Sequence, residues 1–252
     1  MKKALTIGGA VLGVLLAAAL VIFIFFPGLP TYLKVKHKYE HIDDRVAEFK
    51  TVSADADLGS FTLNGVKLKA PADWEPNTTG HGLRSSSEKS SLLVIKNDYQ
   101  SYEKTLSDLE ALGSEYDLDP WSGYKYTEED YRHFYSTIGI EPPQYGLNLR
   151  MLWYMRDDVT AKDCLRLRGK DRKVFLEVAE SKEESAKLEN MWKIKGSGFL
   201  AYVGQIMYPG FDGNTWTVNI FPDGNENEHY TVTVKCSDEA LIKQIISSIE
   251  LE

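Results

Sequence analysis

Apolar and polar positions divide the chain into an unbroken greasy run, a striped charged stretch and a long mixed body. Ala4 to Phe26 holds 23 residues without a charge, and Thr6 is its one polar side chain. At about 1.5 Å rise per residue such a helix exceeds the roughly 30 Å hydrocarbon core of a bilayer, which predicts a transmembrane helix over 4–26 behind a short head, residues 1–3. Pro27, Gly28 and Pro30 end it, because proline lacks an N–H and disfavours helix in the residue before it. Val35, Tyr39, Ile42, Val46 and Phe49 then recur at spacings of four and three among charged residues. That stripe predicts a helical stalk over 32–50, packed on its own domain or on the membrane surface.

The body, residues 58–252, alternates between the two periodicities. Phe61 to Leu68 alternates around Asn64-Gly65, a hairpin turn, and Leu92 to Ile95 reads as a buried strand. The middle reads as helices: Ser101–Leu112, a helix capped by Thr127, one opening at Thr160 and ending near Gly169, and Arg172–Lys182. Phe199–Tyr208, Trp216–Phe221 and Tyr230–Val234 read as strands. A final helix follows, with Ser237 as its cap and Leu241, Ile242, Ile245, Ile246 and Ile249 as its apolar stripe. Strands, helices, strands, helix predicts one α+β domain with an antiparallel sheet covered by helices.

Composition narrows the function classes. Hydrophobic residues at 43% and charged residues at 26% are those of a globular chain. The net charge of -8 argues against a nucleic-acid partner, which needs a basic face for phosphates. Residues 1–50 hold seven Lys or Arg against four Asp or Glu, whereas the remainder holds 22 against 33. A basic collar beside the apolar run suits anionic head groups, and the acidic body is repelled from them.

A cleaved signal peptide is the rival to the anchor. Cutting after Ala17-Ala18-Ala19 would leave Leu20 to Phe26 as a greasy new terminus, and the run exceeds a signal peptide's apolar region. The Met1-Lys2-Lys3 head followed by small apolar residues is similar to a bacterial export signal-anchor, with the domain outside. Lys34, Lys36, Lys38 and Arg45 argue the opposite orientation under the positive-inside rule. Gly9 and Gly13 are spaced as a GxxxG pair, which lets two membrane helices approach closely.

Two motifs at the ends of the body carry a resemblance. Phe61-x-x-Asn64-Gly65-Val66 followed by Pro71-x-x-Trp74 resembles the opening of PsbP-like α/β/α sandwich domains. The last strand, then Ile242 to Ile249 and Glu250-Leu251, is similar to that family's ending. The resemblance implies a binding or assembly module on a membrane-anchored envelope protein, and it carries no catalytic residues over.

Candidate chemistry is sparse. None of His37, His41, His81, His133 and His229 lies in a metalloprotease motif, and no nucleophile elbow, Walker A loop or dinucleotide fingerprint occurs. His37 and His41 share a face of the expected stalk helix, yet two ligands do not make a zinc site. Asp223-Gly224-Asn225-Glu226-Asn227 places oxygens as a calcium loop does, but Glu228 and Val234 stand where that loop needs Gly and Glu, so a hairpin turn is expected. No metal or other cofactor is therefore expected. Cys164 and Cys236 are expected as buried thiols, with pairing open to them outside the cell. Trp121, Tyr124, Tyr126, Tyr131 and Tyr135, with Asp117, Asp119, Glu128, Glu129 and Asp130 nearby, can line a groove for a sugar or a cationic ligand. Core packing is the competing expectation for the same aromatics.

The sequence thus predicts a single-pass membrane protein whose α+β domain binds an envelope protein or ligand, with residues 4–26 in the lipid. The alternatives are an envelope hydrolase using paired Asp/Glu groups and a cytoplasm-facing anchored domain.

Overall fold

The structure, a computed structural model, describes residues 20–22, 24–87, 89–102, 104–105, 121–206 and 214–252. In chain order its elements are α1 (Leu29–Lys38), β1 (Ala47–Glu48), β2 (Leu58–Leu63), β3 (Val66–Pro71), β4 (Glu75–Pro76), β5 (Gly82–Arg84) and β6 (Ser91–Asp98). Then come α2 (Glu128–Thr137), α3 (Leu147–Asp157), a 3-10 helix (Ala161–Arg166) and α4 (Gly169–Leu188). The chain closes with β7 (Glu189–Gly196), β8 (Phe199–Ile206), β9 (Thr215–Pro222), β10 (Glu228–Lys235), α5 (Glu239–Ser247) and β11 (Glu250–Leu251). Among the described residues no helix is long and apolar enough to cross a membrane. Residues 4–19 and 23 of the expected anchor, Gly9 and Gly13 among them, lie outside the described residues. So do Leu106, Leu109 and Leu112 of the expected Ser101–Leu112 helix, and Tyr208.

The chain forms two compact units. The first comprises Met1–Asp44, Tyr124–Pro142 and Tyr154–Glu183, and the second Arg45–Gly123, Pro143–Trp153 and Glu184–Glu252.

The second unit is mixed α and β. Its eight-stranded sheet runs β1-β7-β8-β9-β10-β6-β5-β4, and a three-stranded sheet runs β11-β3-β2. Every pairing is antiparallel except β1 with β7. The register explains the core. Val94, Val232, Val218, Val203 and Trp192 stand opposite one another across five strands, and the four valines are fully buried. Trp192 stacks on Trp216 with centroids 5.1 Å apart, and Ile242, Ile245 and Ile246 of α5 join the same cluster. Side chains alternate across a strand. The opposite face therefore carries Thr231, Asn219, Tyr202 and Lys193 in register, with Trp153 stacked on Tyr202 at 5.0 Å.

Local chemistry sets the turns and caps. Asn64 and Gly65 have φ of 52° and 86°, the left-handed pair that a two-residue hairpin between β2 and β3 requires. The cap of α5 is Asp238 rather than Ser237: its carboxylate accepts from the N–H groups of Ala240 and Leu241. An acidic cap adds charge to the same geometry at the positive end of the helix.

The first unit is helical. Thr127 and Asp130 form a reciprocal capping box at the start of α2, and at the start of the 3-10 helix the Asp163 carboxylate accepts from both the N–H and the hydroxyl of Thr160. The stalk departs from expectation: its helix stops at Lys38, where Tyr39 turns extended. Val35, Tyr39, Ile42, Val46 and Phe49 are all buried as the stripe implied, but a helix, a turn and β1 share the work. His37 and His41 therefore do not share a helical face. His41 instead bonds Asp44 at 2.8 Å.

Candidate functional site

A groove of about 460 Å³ opens in the first unit. Three segments build it. Lys34, Val35 and Lys38 come from α1, with Tyr39 just beyond. Lys125 and Tyr126 come from the approach to α2. Lys173, Leu176, Glu177 and Glu180 come from α4, where spacings of three and four put them on one face. Val35 and Tyr39 are buried and make an apolar floor, so the rim supplies the charge.

The rim is asymmetric. Lys38 donates to the Tyr39 hydroxyl at 2.8 Å and to Glu180 at 3.2 Å, and these bonds raise its pKa. Lys34, Lys125 and Lys173 have no ion-pair partner among the described residues. Lys125 stands 5.8 Å from the Tyr126 ring centroid. Glu177 accepts from the Tyr131 hydroxyl at 2.7 Å through Oε1. Its other oxygen, Oε2, is shielded from solvent and has no donor among the described residues. Burial, reinforced by the neighbouring Glu177 carboxylate, pushes the Tyr131 phenol far above its usual range, so it stays a donor.

The aromatic residues singled out from sequence separate accordingly. Tyr126 lines the groove. Tyr131 is buried behind it, in edge contact with Tyr126 at 6.3 Å, and reaches the groove through Glu177. Tyr124 packs edge-on to Tyr131 at 5.8 Å and is partly exposed. Tyr135 is a core residue, packed on Phe134 and Tyr154 and fully buried. Trp121 falls in the second unit.

Two of the acidic residues expected to attract a cation are engaged elsewhere. Asp130 pairs with Lys170 at 2.6 Å and Glu128 with Arg132, while Asp117 and Asp119 lie outside the described residues. Sequence reasoning did not single out Lys173, Glu177 and Glu180 as a site. Their shared helical face, with Leu176 between the charges, was the available signal.

The remaining candidates carry less. Cys164 and Cys236 are both buried and free rather than paired, and burial with Asp163 nearby pushes the Cys164 thiol up to about 12, so that thiol stays protonated. Asp223 to Asn227 forms the β9–β10 turn, with Gly224 at a φ of 72°. Among the described residues no three His, Cys, Asp or Glu side chains gather as a metal site. A second cavity of about 420 Å³, in the second unit, is walled by Phe199, Ile246, Ile249 and Leu251 and holds Glu250 as its one carboxylate.

No protein-family model and no curated protein sequence matches the chain. A solved structure does. The chain is similar to the solution structure of cyanobacterial PsbP (CyanoP) from Synechocystis sp. PCC 6803, at 13% identity and a TM-score of 0.32, over 79% of this chain and 95% of that one. That likeness is to the family suggested by the Phe61–Trp74 and Ile242–Leu251 motifs. It assigns no role to any residue.

Proposed function

We propose that this is a single-pass, membrane-anchored binding module of the cell envelope, non-enzymatic, with the groove of its first unit as the ligand site. One observation carries the reading. The described end of the apolar run stays exposed, with Leu20 at 64% and Phe25 at 65%, and it continues within a few residues into α1, a wall of the groove. Exposing that much contiguous apolar surface to water is costly, and a bilayer removes the cost. Two arginines support the joint: Arg168 donates to the Ile24 carbonyl at 2.9 Å and Arg172 to the Pro27 carbonyl at 3.3 Å. The hydrolase alternative needs two carboxyls facing each other across a cleft. Glu177 and Glu180 instead lie one turn apart on the same helix, bonded to Tyr131 and Lys38.

The reading is tested in cells by alkaline carbonate extraction together with protease access to a C-terminal tag. Retention in the membrane fraction, with the tag digested on intact cells, is expected. Release by carbonate would remove the anchor, and protection until lysis would put the module in the cytoplasm.

A further inference from the structure

Resting on that reading, we propose that the groove binds phosphate-bearing polyols, of which phosphoglycerol is the simplest. The lysines take the phosphate, Glu177 takes a hydroxyl, and Tyr126 covers the carbon skeleton.

Charge selects an anion. The groove carries four lysines against two glutamates, and only Lys38 is ion-paired among the described residues. The first unit as a whole holds fifteen Lys or Arg against fourteen Asp or Glu, whereas the second holds fourteen against 23. An anionic ligand is therefore repelled far less by the unit that has this groove.

The kind of cation selects the anion further. All four groove cations are lysines. Planar, two-pronged recognition of a carboxylate is the work of arginine, whereas ammonium groups on flexible stems act as point charges that settle around a tetrahedral phosphate.

Phosphate alone leaves two features unused. Glu177 Oε2 has no donor among the described residues and is shielded from water, so a ligand hydroxyl meets it once the Glu177 carboxylate turns into the groove that this residue lines. A phosphate has no hydrogen to offer that oxygen when ionised, but a neighbouring hydroxyl does. Tyr126 presents a ring to the same space, a surface on which the C–H face of a polyol packs.

Two sources supply this chemistry near a bilayer. At about 1.5 Å per residue, Lys34 is about 8 Å and Lys38 about 14 Å along α1 from Leu29. Both a phosphoglycerol lipid head group and a soluble phosphoglycerol chain can occupy that zone.

The test uses the full chain in phosphatidylcholine nanodiscs, with an amine-reactive reagent and mass spectrometry reading each lysine. Oligo(glycerol phosphate) is expected to slow labelling of Lys125 and Lys173 several-fold and to leave Lys235, on the second unit, unchanged. Tyr126→Ala should abolish the protection. Glu177→Gln keeps an oxygen for Tyr131 but replaces the orphan acceptor. It should reduce the preference for oligo(glycerol phosphate) over polyphosphate of equal charge, even as it strengthens both by removing a negative charge. Protection in phosphatidylglycerol nanodiscs without added oligomer assigns the head group, and protection by the oligomer alone assigns the soluble chain. Equal protection by polyphosphate and oligo(glycerol phosphate), or none by either source, overturns the proposal. Carbonate extraction reports separately: an anchored chain with unprotected lysines loses the ligand class and keeps the anchored module, and a carbonate-released chain does the reverse.

Discussion

The two units solve the problem of an interior differently. The second fills its core with Val, Ile and Trp in register across a sheet. The first buries an ammonium group: Lys182 is fully buried and donates to the Asp44 and Val159 carbonyls, both at 2.7 Å. Tyr135 is fully buried in the same unit, and Glu183 accepts from the His41 N–H. A hydrocarbon core tolerates exchange of one apolar side chain for another of like volume. A buried charge that satisfies two backbone carbonyls does not, because each lost partner leaves a desolvated group behind. The first unit therefore trades tolerance for a defined arrangement of its loops.

The largest expected break is in the second unit. Trp216→Ala removes the ring that stacks on Trp192 and should cost about 4 kcal/mol, read by denaturant unfolding, with amide exchange accelerating in β8, β9 and β10. Lys182→Met should cost about 3 kcal/mol by orphaning two carbonyls, although methionine fills much the same volume. Its exchange signature should fall on α1 and α4, and a neutral result would show that the first unit's interior is as permissive as the second's.

His229 sharpens the contrast, being the polar exception in the second unit. It stacks on Tyr99 at 5.0 Å and faces Asn97 at 3.1 Å, and burial with the nearby Arg150 charge pushes its pKa from 6.5 down to about 4. Folded protein then holds the ring neutral while unfolded chain protonates it. Stability should fall as pH drops from about 6.5 towards 4, by up to about 3 kcal/mol below that window. His229→Gln should flatten the pH slope relative to the parent, and identical slopes would show that the histidine is not held neutral. The smallest effect is Asp238→Ala, which removes two cap bonds from α5 and should cost about 1 kcal/mol in thermal unfolding.

Legibility followed the same divide. Strands with regular alternation were readable: Asn64-Gly65, Leu92–Ile95 and Tyr230–Val234 all lie in the elements their patterns predicted. β7 was not, because Asn190, Lys193 and Lys195 dilute its apolar positions and its run joins α4 without a turn residue. α3 was missed for a related reason, since Leu147 to Asp157 carries apolar residues around most of its circumference. The stalk stripe was right about burial, and right about helix only as far as Lys38. A spacing of four and three reports which residues face inward, and a turn feeding a short parallel strand satisfies it as well as a helix does. In the groove, Tyr126 was visible because aromatic clusters stand out. Lys34, Lys125 and Lys173 meet from three segments remote in sequence, and no local spacing encodes that meeting.

Gly28 has a mechanical meaning. Its N–H bonds the Leu165 carbonyl at 2.9 Å, and a Cβ there would come within 1.7 Å of the Cys164 oxygen. The junction between the apolar run and α1 is therefore keyed rather than hinged. Torque about the run's axis passes into the 3-10 helix instead of dissipating in a swivel, and Lys34 and Lys38 turn with it. A bulkier residue at this one position would strip the key, leaving both ends intact and their relative heading undefined.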